Sequence, residues 1–323
     1  MKIIDISIIV CTYNRADTLR SALESVIRQE TDGNFSYEIV VIDDGSIDNT
    51  RDVVKEILKC SKVPIGYIYK KGEGIADARN RGIRYARGKW IAFIDDDQLA
   101  ENDWLKNLYV MALRMHADCV GGTILLDLQS DQLSRLGPVI RKLLGERSWP
   151  KRPSKCLGKK IPSNGNILIA KKVFDSIGLF DTVLLSGGED AEFILRARAA
   201  NFDIWIAPKA IMRHLVPPYR LQPTYLRLVS FRWGTFFAYM DHKRRNHCRM
   251  LLVCIARIGQ ALLVNMPCLL LVYLKCNIVE ILDRKCLLWR AQGYTRRCLF
   301  FISPKLFPQK RFFSALEYRI NGK

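Results

Sequence analysis

Over the first hundred residues, short apolar runs alternate with stretches of helical periodicity. Residues 6–10, 38–42, 65–69 and 90–94 are compact runs of β-type residues bounded by polar or turn-forming ones. Between them, 18–29 carries Leu19, Leu23, Val26 and Ile27 at helical spacing, and 48–58 carries Val53, Val54, Ile57 and Leu58. A third helical stretch, 75–86, ends near Gly88. Continuous apolar strands separated by amphipathic helices predict an α/β fold whose mostly parallel sheet is covered on both faces. Further along, 167–170 and 204–207 read as strands and 191–200 as an amphipathic helix. Residues 129–160 interleave Arg141, Lys142, Arg147, Lys151, Arg152, Lys155, Lys159 and Lys160 with three prolines, which predicts a mobile basic loop or partial helix. The stretch 251–274 is strongly apolar, broken only by Arg257, Gln260, Asn265 and Pro267. Its uncharged part, 258–274, is at the lower limit for crossing a bilayer. Pro267 would kink or split a helix there. Spanning, re-entering and lying on a surface are all open.

Three polar clusters fall at the carboxyl ends of the predicted strands: Thr12–Arg15 (12–15), Asp43-Asp44-Gly45-Ser46, and the triplet Asp95-Asp96-Asp97. That is the end of an open α/β sheet where ligands bind. Adjacent carboxylates repel one another unless a cation joins them. A hard divalent metal bound through one or two carboxylates and substrate phosphates is one solution. A solvated acidic turn, with Asp97 or Asp103 capping a helix, is the other. The coincidence of all three clusters favours the metal–phosphate site.

Composition narrows the class. The chain has 323 residues and 49% hydrophobic content, enough for a large core and too much for global disorder. Its ten cysteines show no CxxC spacing, which argues against a zinc ribbon or disulfide framework and fits a reducing compartment. The net charge is +19, and residues 213–323 hold 20 Lys and Arg against 4 Asp and Glu. Such a segment seeks a polyanion, either an anionic membrane surface or nucleic acid. The apolar stretch, flanked by Lys243-Arg244-Arg245, Arg284-Lys285 and Arg296-Arg297, favours the membrane, and no nucleic-acid motif accompanies it. Met1-Lys2 runs straight into apolar 3–10 and polar 12–15, which is not the layout of a signal peptide.

Five motifs occur in order: Ile8-Ile9-Val10-Cys11-Thr12-Tyr13-Asn14-Arg15, Val40-Val41-Ile42-Asp43-Asp44-Gly45-Ser46 with Asp48 and Thr50, Gly74 with Ala78-Arg79-Asn80, Ile94-Asp95-Asp96-Asp97, and Gly187-Gly188-Glu189-Asp190. In that order and spacing the chain resembles the family 2 glycosyltransferases, inverting nucleotide-sugar enzymes of the GT-A (Rossmann-like) fold, over about residues 4–215. The resemblance implies a GT-A catalytic domain over 1–215, with a nucleotide-binding half (1–100) and an acceptor-side half (101–215). A helical, basic, membrane-associating region would follow over 216–323. It places Thr12, Tyr13, Arg15, Asp43, Asp44, Arg79, Asp95 and Asp96 around the donor, with Asp43 accepting from the base edge and Arg79 beside the diphosphate. Asp95 would contact the ribose or a metal-bound water. Asp97 and His214 would ligate a divalent metal, Mg2+ or Mn2+, that assists the leaving diphosphate. Asp190 would be the general base for the attacking hydroxyl. Asn164, Asn166 and Glu189 would face the acceptor. Gly72-x-Gly74 lacks the third glycine of a dinucleotide loop.

The expected activity is transfer of a sugar, most readily from a UDP-sugar, to a hydroxyl of a glycan or lipid-linked saccharide in cell-surface polysaccharide or glycoconjugate synthesis. The expected place is the cytoplasmic face of a membrane, where an undecaprenyl-diphosphate-linked acceptor would suit the geometry. A nucleotidyltransferase acting on sugar phosphates is the main alternative, but the segment after the first strand lacks its glycine-rich phosphate loop. A basic nucleic-acid binder is the weaker one.

Overall fold

The structure is a computed structural model and describes residues 4–308 other than 71, 73, 159, 160, 185, 186 and 246. Lys159 and Lys160 of the expected basic loop lie outside the described residues, as do positions 1–3 and 309–323 of the two expected regions. The chain forms two compact units. One takes the chain up to Asp127 together with Glu146–Leu215; the other takes Leu128–Gly145 and the chain from Val216 on.

The first unit begins with β1 (Ile6–Thr12), α1 (Ala16–Ile27), β2 (Tyr37–Asp43), α2 (Thr50–Cys60), β3 (Ile65–Tyr69), α3 (Ile75–Tyr85) and β4 (Trp90–Asp95). It continues with β5 (Gln98–Ala100), α4 (Trp104–Arg114) and β6 (Cys119–Asp127). After α5 (Ser130–Ser134) and α6 (Pro138–Leu143), which belong to the second unit, come β7 (Ser154–Lys155), β8 (Ile167–Ala170), α7 (Lys171–Ile177), α8 (Glu189–Ala199) and β9 (Ile204–Leu215). Pleating splits the strand residues between two cores. Ile6, Ile8 and Val10 pack with Leu19, Leu23, Val54 and Trp104 on one face. Ile9, Ile42, Phe93, Phe174 and Phe193 form the other. Both faces are dry, which is why these strands read as unbroken apolar runs.

The strands are ordered β3-β2-β1-β4-β8-β6-β9-β5, with β7 on β9. The expected parallel pairing holds across β3-β2-β1-β4. Beyond it the sheet is mixed: β8 runs antiparallel to β4 and β6, and β5 antiparallel to β9, while β6 and β9 are parallel. A strand buried on both faces shows the same residue pattern in either direction, so only the connections decide. β9 continues to Leu215, well past the predicted 204–207, because a register shift opposite Gly121/Thr123 absorbs Pro208.

Of the two readings of the basic segment 129–160, a loop or a partial helix, the structure shows the partly helical one. The segment contains α5, α6 and β7, and its first part joins the second unit. Pro138 sits in the first turn of α6, where its missing N–H costs nothing. The next two amides, Val139 and Ile140, donate to the Asp283 carboxylate at 3.0 Å each, and Ile140 is fully buried.

The second unit is completed by α9 (Pro223–Arg245), α10 (His247–Gln260), α11 (Met266–Leu274) and α12 (Ile278–Ile302). Pro267 does not split the apolar helix. A π-helical turn, Ala261–Asn265, joins α10 to α11 immediately before it, and the Met266 amide donates to Ala261 O. The wider turn takes up the hydrogen-bond mismatch that a proline imposes. Helices α9 and α12 touch backbone to backbone at Gly234 and Gly293. A Cβ on Gly234 would collide with the Arg290 carbonyl, and one on Gly293 with the Phe231 carbonyl. Gly293→Ala is therefore expected to destabilise this unit by about 1–3 kcal/mol through overpacking. Thermal unfolding followed by circular dichroism should show the lower midpoint.

Candidate active site

The loops that follow β1, β2 and β4 are stitched together by short polar side chains. Asn14, in the left-handed region at φ 49°, accepts from the Ile47 amide at 2.8 Å, and its own amide donates to Ser46 Oγ at 2.9 Å. Asp48 accepts from Ala16 N and Thr50 N, so one carboxylate serves the starts of both α1 and α2. Asp43 is fully buried. Its Oδ1 accepts from the Gly45 and Ser46 amides and its Oδ2 from the Tyr67 hydroxyl at 2.6 Å. A base edge would have to reach an enclosed carboxylate that already holds three donors. Asp44 pairs with Arg81, and burial raises its pKa against that pairing. Gly72 leaves the space these two side chains fill.

The aspartate triplet does not lead into a helix. Asp95 ends β4, and Asp96 and Asp97 form the turn into β5. The chain reaches Asp103, at the N-cap position of α4, only later, and that side chain makes no capping bond. The three carboxylates differ sharply. Asp95 is the most open, at 38% side-chain exposure, and Arg79 holds it at 3.0 Å. Asp96 is buried, and that burial pushes its carboxyl up to about 7; Arg15 at 3.3 Å opposes the shift and Asp97 adds to it. Asp97 is paired with Arg15.

His214 is distant in sequence but is placed by sheet register. It stands opposite Gln98 where β5 pairs with β9, and the Leu215 amide donates to Asp97 O. Its Nε2 lies 3.4 Å from Asp97 Oδ1. Among the described residues no three His, Cys, Asp or Glu side chains gather as a metal cage. The Asp97–His214 pair gives one oxygen and one nitrogen donor side by side. That suffices for a cation whose remaining ligands are diphosphate oxygens and water.

Arg79 reaches from α3 to two elements at once. Besides Asp95 it pairs with Glu189, the first residue of α8. Burial works against its charge, but Glu189 and Asp95 together raise its pKa above the ordinary value. Glu189 is itself buried, and its pKa is raised by that burial in spite of Arg79. Its Oε1 anchors Arg79, while its Oε2 is buried without a hydrogen-bond partner. Gly187 and Gly188, at φ 91° and 97°, make the turn that sets α8 in this position. Asp190 follows, half-buried. Its Oδ1 accepts from the Ala191 amide at 2.7 Å, and Ser163 Oγ lies 3.4 Å from its Oδ2.

The segment 163–166 joins the two ends of the site. Ser163 is at Asp190, while a Cβ on Gly165 would stand 2.8 Å from Asp95 Oδ2. Asn164 is buried with neither amide atom partnered. Asn166 is fully buried and both of its side-chain N–H donors are used inside the protein. Trp104 Nε1 donates to its Oδ1, and its Nδ2 donates to the Thr123 and Ala210 carbonyls, at 2.8–2.9 Å, all fully buried. Thr12 ends β1 in the buried layer, and Tyr13 follows it half-exposed.

A sequence model described as glycosyl transferase family 2 matches residues 7–177, more than half of the chain. The chain belongs to that family. Its match to a glycosyltransferase of Rickettsia felis is 45% identical over 98 residues, 30% of this chain but only 15% of the relative. The succinoglycan biosynthesis protein ExoO of Rhizobium meliloti is 34% identical over 163 residues, 50% of this chain and 43% of that one. Glycosyltransferase AglE of Haloferax volcanii is 24% identical over 66% of this chain and 68% of that one. The chain thus spans a minor part of the first of these relatives. Among solved structures, the mannosyltransferase PcManGT from Pyrobaculum calidifontis, in complex with GDP-Man and Mn2+, aligns over 90% of this chain and 86% of its own at a TM-score of 0.63 and 16% identity. Staphylococcus aureus TarS 1-349 with UDP-GlcNAc aligns over 93% and 92% at 0.54 and 15%. At such identities the likeness shows the fold, a mixed α/β sheet flanked by helices with a helical C-terminal region.

Membership of the family favours glycosyl over nucleotidyl transfer. Sequence reasoning missed Arg81, Gln98 and Arg147. Gln98 Oε1 accepts from the Asp95 amide at 3.1 Å. Arg147, partly enclosed, is close enough to Asp190 for their charges to interact, while its burial lowers its pKa. Arg81 and Arg147 were visible only as basic residues on a helix and in a basic segment; their carboxylate partners come from other elements. The committed hydrogen bonds of Asn166 give a direct test. Asn166→Leu strands the Trp104 N–H and two carbonyls, and should cost about 2–3 kcal/mol. A lowered denaturation midpoint would be the readout, and an unchanged midpoint with a raised acceptor KM would return Asn166 to the acceptor site.

Proposed function

We propose that this chain is an inverting glycosyltransferase that moves a sugar from a nucleoside diphosphate sugar to a hydroxyl of a glycan or lipid-linked saccharide. The observation that carries the reading is the meeting of Asp95, Arg79, Glu189 and Asp190 on one side with Arg15, Asp97 and His214 on the other, at the carboxyl ends of β1 and β4. Donor chemistry needs cations for a diphosphate, and acceptor chemistry needs one base. Both are present. A UDP-sugar is the favoured donor, with the names of the TarS complexes as support, and the GDP-Man of PcManGT marks the competing base.

Arg15 and Arg79 are held by carboxylates and can shift their N–H groups onto phosphate oxygens as the donor enters. Asp97 and His214 would hold a divalent metal, which supplies charge neutralisation to the departing diphosphate. A mixed oxygen–nitrogen pair suits Mn2+ somewhat better than Mg2+. Asp190 then takes the acceptor hydroxyl proton while that oxygen attacks the anomeric carbon from the face opposite the diphosphate. Glu189 is tied to Arg79, so one carboxylate is left for proton transfer, which fits a single displacement with inversion. Asn164, with an unpartnered buried amide, remains the best residue to hydrogen-bond a sugar hydroxyl. The apolar, basic C-terminal unit would bring the enzyme to an anionic membrane surface, at the cytoplasmic face, in synthesis of a cell-surface glycan.

A panel of nucleotide sugars assayed for metal-dependent release of nucleoside diphosphate tests this. Asp190→Asn should lower kcat by roughly 10²–10⁴-fold, the usual worth of a general base, with KM for the donor little changed. Asp97→Ala should abolish the response to added Mn2+. Wild-type rates in both variants, or release of pyrophosphate instead, would sink the assignment.

A further inference from the structure

One face of the continuous helix α10–α11 is covered within its own unit, and the other is not. Met250, Cys254, Asn265, Leu269 and Val272 turn inward at spacings of three to four residues or multiples of them and are buried. On the opposite side Leu252, Ile255, Leu263, Leu270, Leu271 and Leu274 are 58–82% exposed. From Leu252 to Leu274 this apolar strip extends about 33 Å. Monomeric proteins rarely expose an apolar surface of this length without a partner.

By length and composition His247–Leu274 could cross a bilayer. Its packing argues against that. Helix α12 lies against both α10 and α11, and Lys285 Nζ stands 5.5 Å from the Tyr273 ring. If α10–α11 crossed, α12 would be drawn in with Glu280, Asp283, Arg284, Lys285, Arg290, Arg296 and Arg297. Charges at the bilayer centre are heavily penalised. A helix in the interface plane avoids this. Its apolar face enters the acyl boundary while the charged helix behind it stays among headgroups and water.

We infer that the exposed face of α10–α11 inserts in the plane of an anionic lipid bilayer without crossing it. This rests on the membrane-surface reading above and fixes its geometry. Charge selects lipid over a second copy of the chain. Lys243, Arg244 and Arg249 are exposed near one end of the strip and Lys275 at the other. With 20 basic against 4 acidic residues from 213 onward, two copies would repel face to face, whereas anionic headgroups attract the same cations.

The test uses the full chain added to preformed phosphatidylglycerol–phosphatidylcholine vesicles. Wild type should float with them and should bind less as phosphatidylglycerol is reduced or salt is raised. Leu263→Glu and Leu271→Glu each place a charge at a solvent-facing position, so the fold, checked by circular dichroism, should survive. Each should weaken vesicle binding by roughly tenfold or more. The exposed turn cysteine Cys276 separates the geometries. A membrane-impermeant maleimide added outside should modify Cys276 without detergent, as it does exposed Cys60 of the first unit. Cys276 protected until detergent is added, with Cys60 modified, would mean a crossing helix and overturn the inference. Unchanged flotation of both Glu variants would overturn the face. Wild type that binds no vesicles, and dimerises through a contact the Glu variants abolish, would remove the membrane reading itself and make the strip a self-interface.

Discussion

The site depends on an excess of negative charge that two arginines keep in place. Asp95, Asp96, Asp97, Glu189 and Asp190 all approach the carboxyl ends of β1 and β4, and most are shielded from water. Carboxylates so arranged would protonate or push one another apart. Arg15 lies against Asp96 and Asp97, and Arg79 against Asp95 and Glu189. Each arginine thereby ties elements that are distant in sequence: the start of α1 to the β4–β5 turn, and α3 to β4 and α8. A guanidinium can do this because it stays charged when buried and offers several donors in one plane. On the proposed reading, the same two groups would meet the diphosphate of the donor. Holding the carboxylates together and receiving the donor would then be one function of the same side chains, with carboxylates exchanged for phosphate oxygens.

The exchange explains why Asp96 and Asp97 need not behave alike. Asp97 is at the edge of the cluster, with His214 beside it and its own carbonyl bound by the Leu215 amide. On the proposed reading it would present an oxygen to a metal. Asp96 is enclosed, its carboxyl pushed up by burial, and it is suited to shaping the turn and orienting Arg15. The triplet thus resolves into one acid held by Arg79, one buried, and one paired with Arg15 beside a histidine.

Much of this was legible in the sequence because the local rules are strong there. Strands β1 to β4 announce themselves as apolar runs, and the polar residues that end them fall where an open α/β sheet binds ligands. What the sequence could not show is what other elements supply. His214 was paired with Asp97 only through the family resemblance; what brings it there is β5–β9 register, which no spacing rule predicts. Glu189 looked like an acceptor contact since its partner, Arg79, lies on another helix. Asn166 looked ligand-binding because an Asn-Gly-Asn turn is polar, yet the indole of Trp104 and two carbonyls from β6 and β9 consume it. The segment 129–160 looked like a loop or partial helix because basic residues and prolines mask two short helices, one of them capped by Asp283 from far along the chain.

The C-terminal unit obeys a different constraint from the sheet unit. Its helices α9 and α12 approach so closely that glycines meet backbone, and Asp241 and Asp283 are spent on the Tyr294 hydroxyl and the α6 amides. Two of its few acids are therefore turned to internal bonds, and basic residues far outnumber acidic ones from 213 onward. The leucine strip raises the cost of standing in water, and the charge imbalance adds self-repulsion. On the inference above, an interface with anionic lipid would relieve both at once. The apolar strip leaves water and the cations meet anions, and neither gain requires the charged helix behind the strip to enter hydrocarbon.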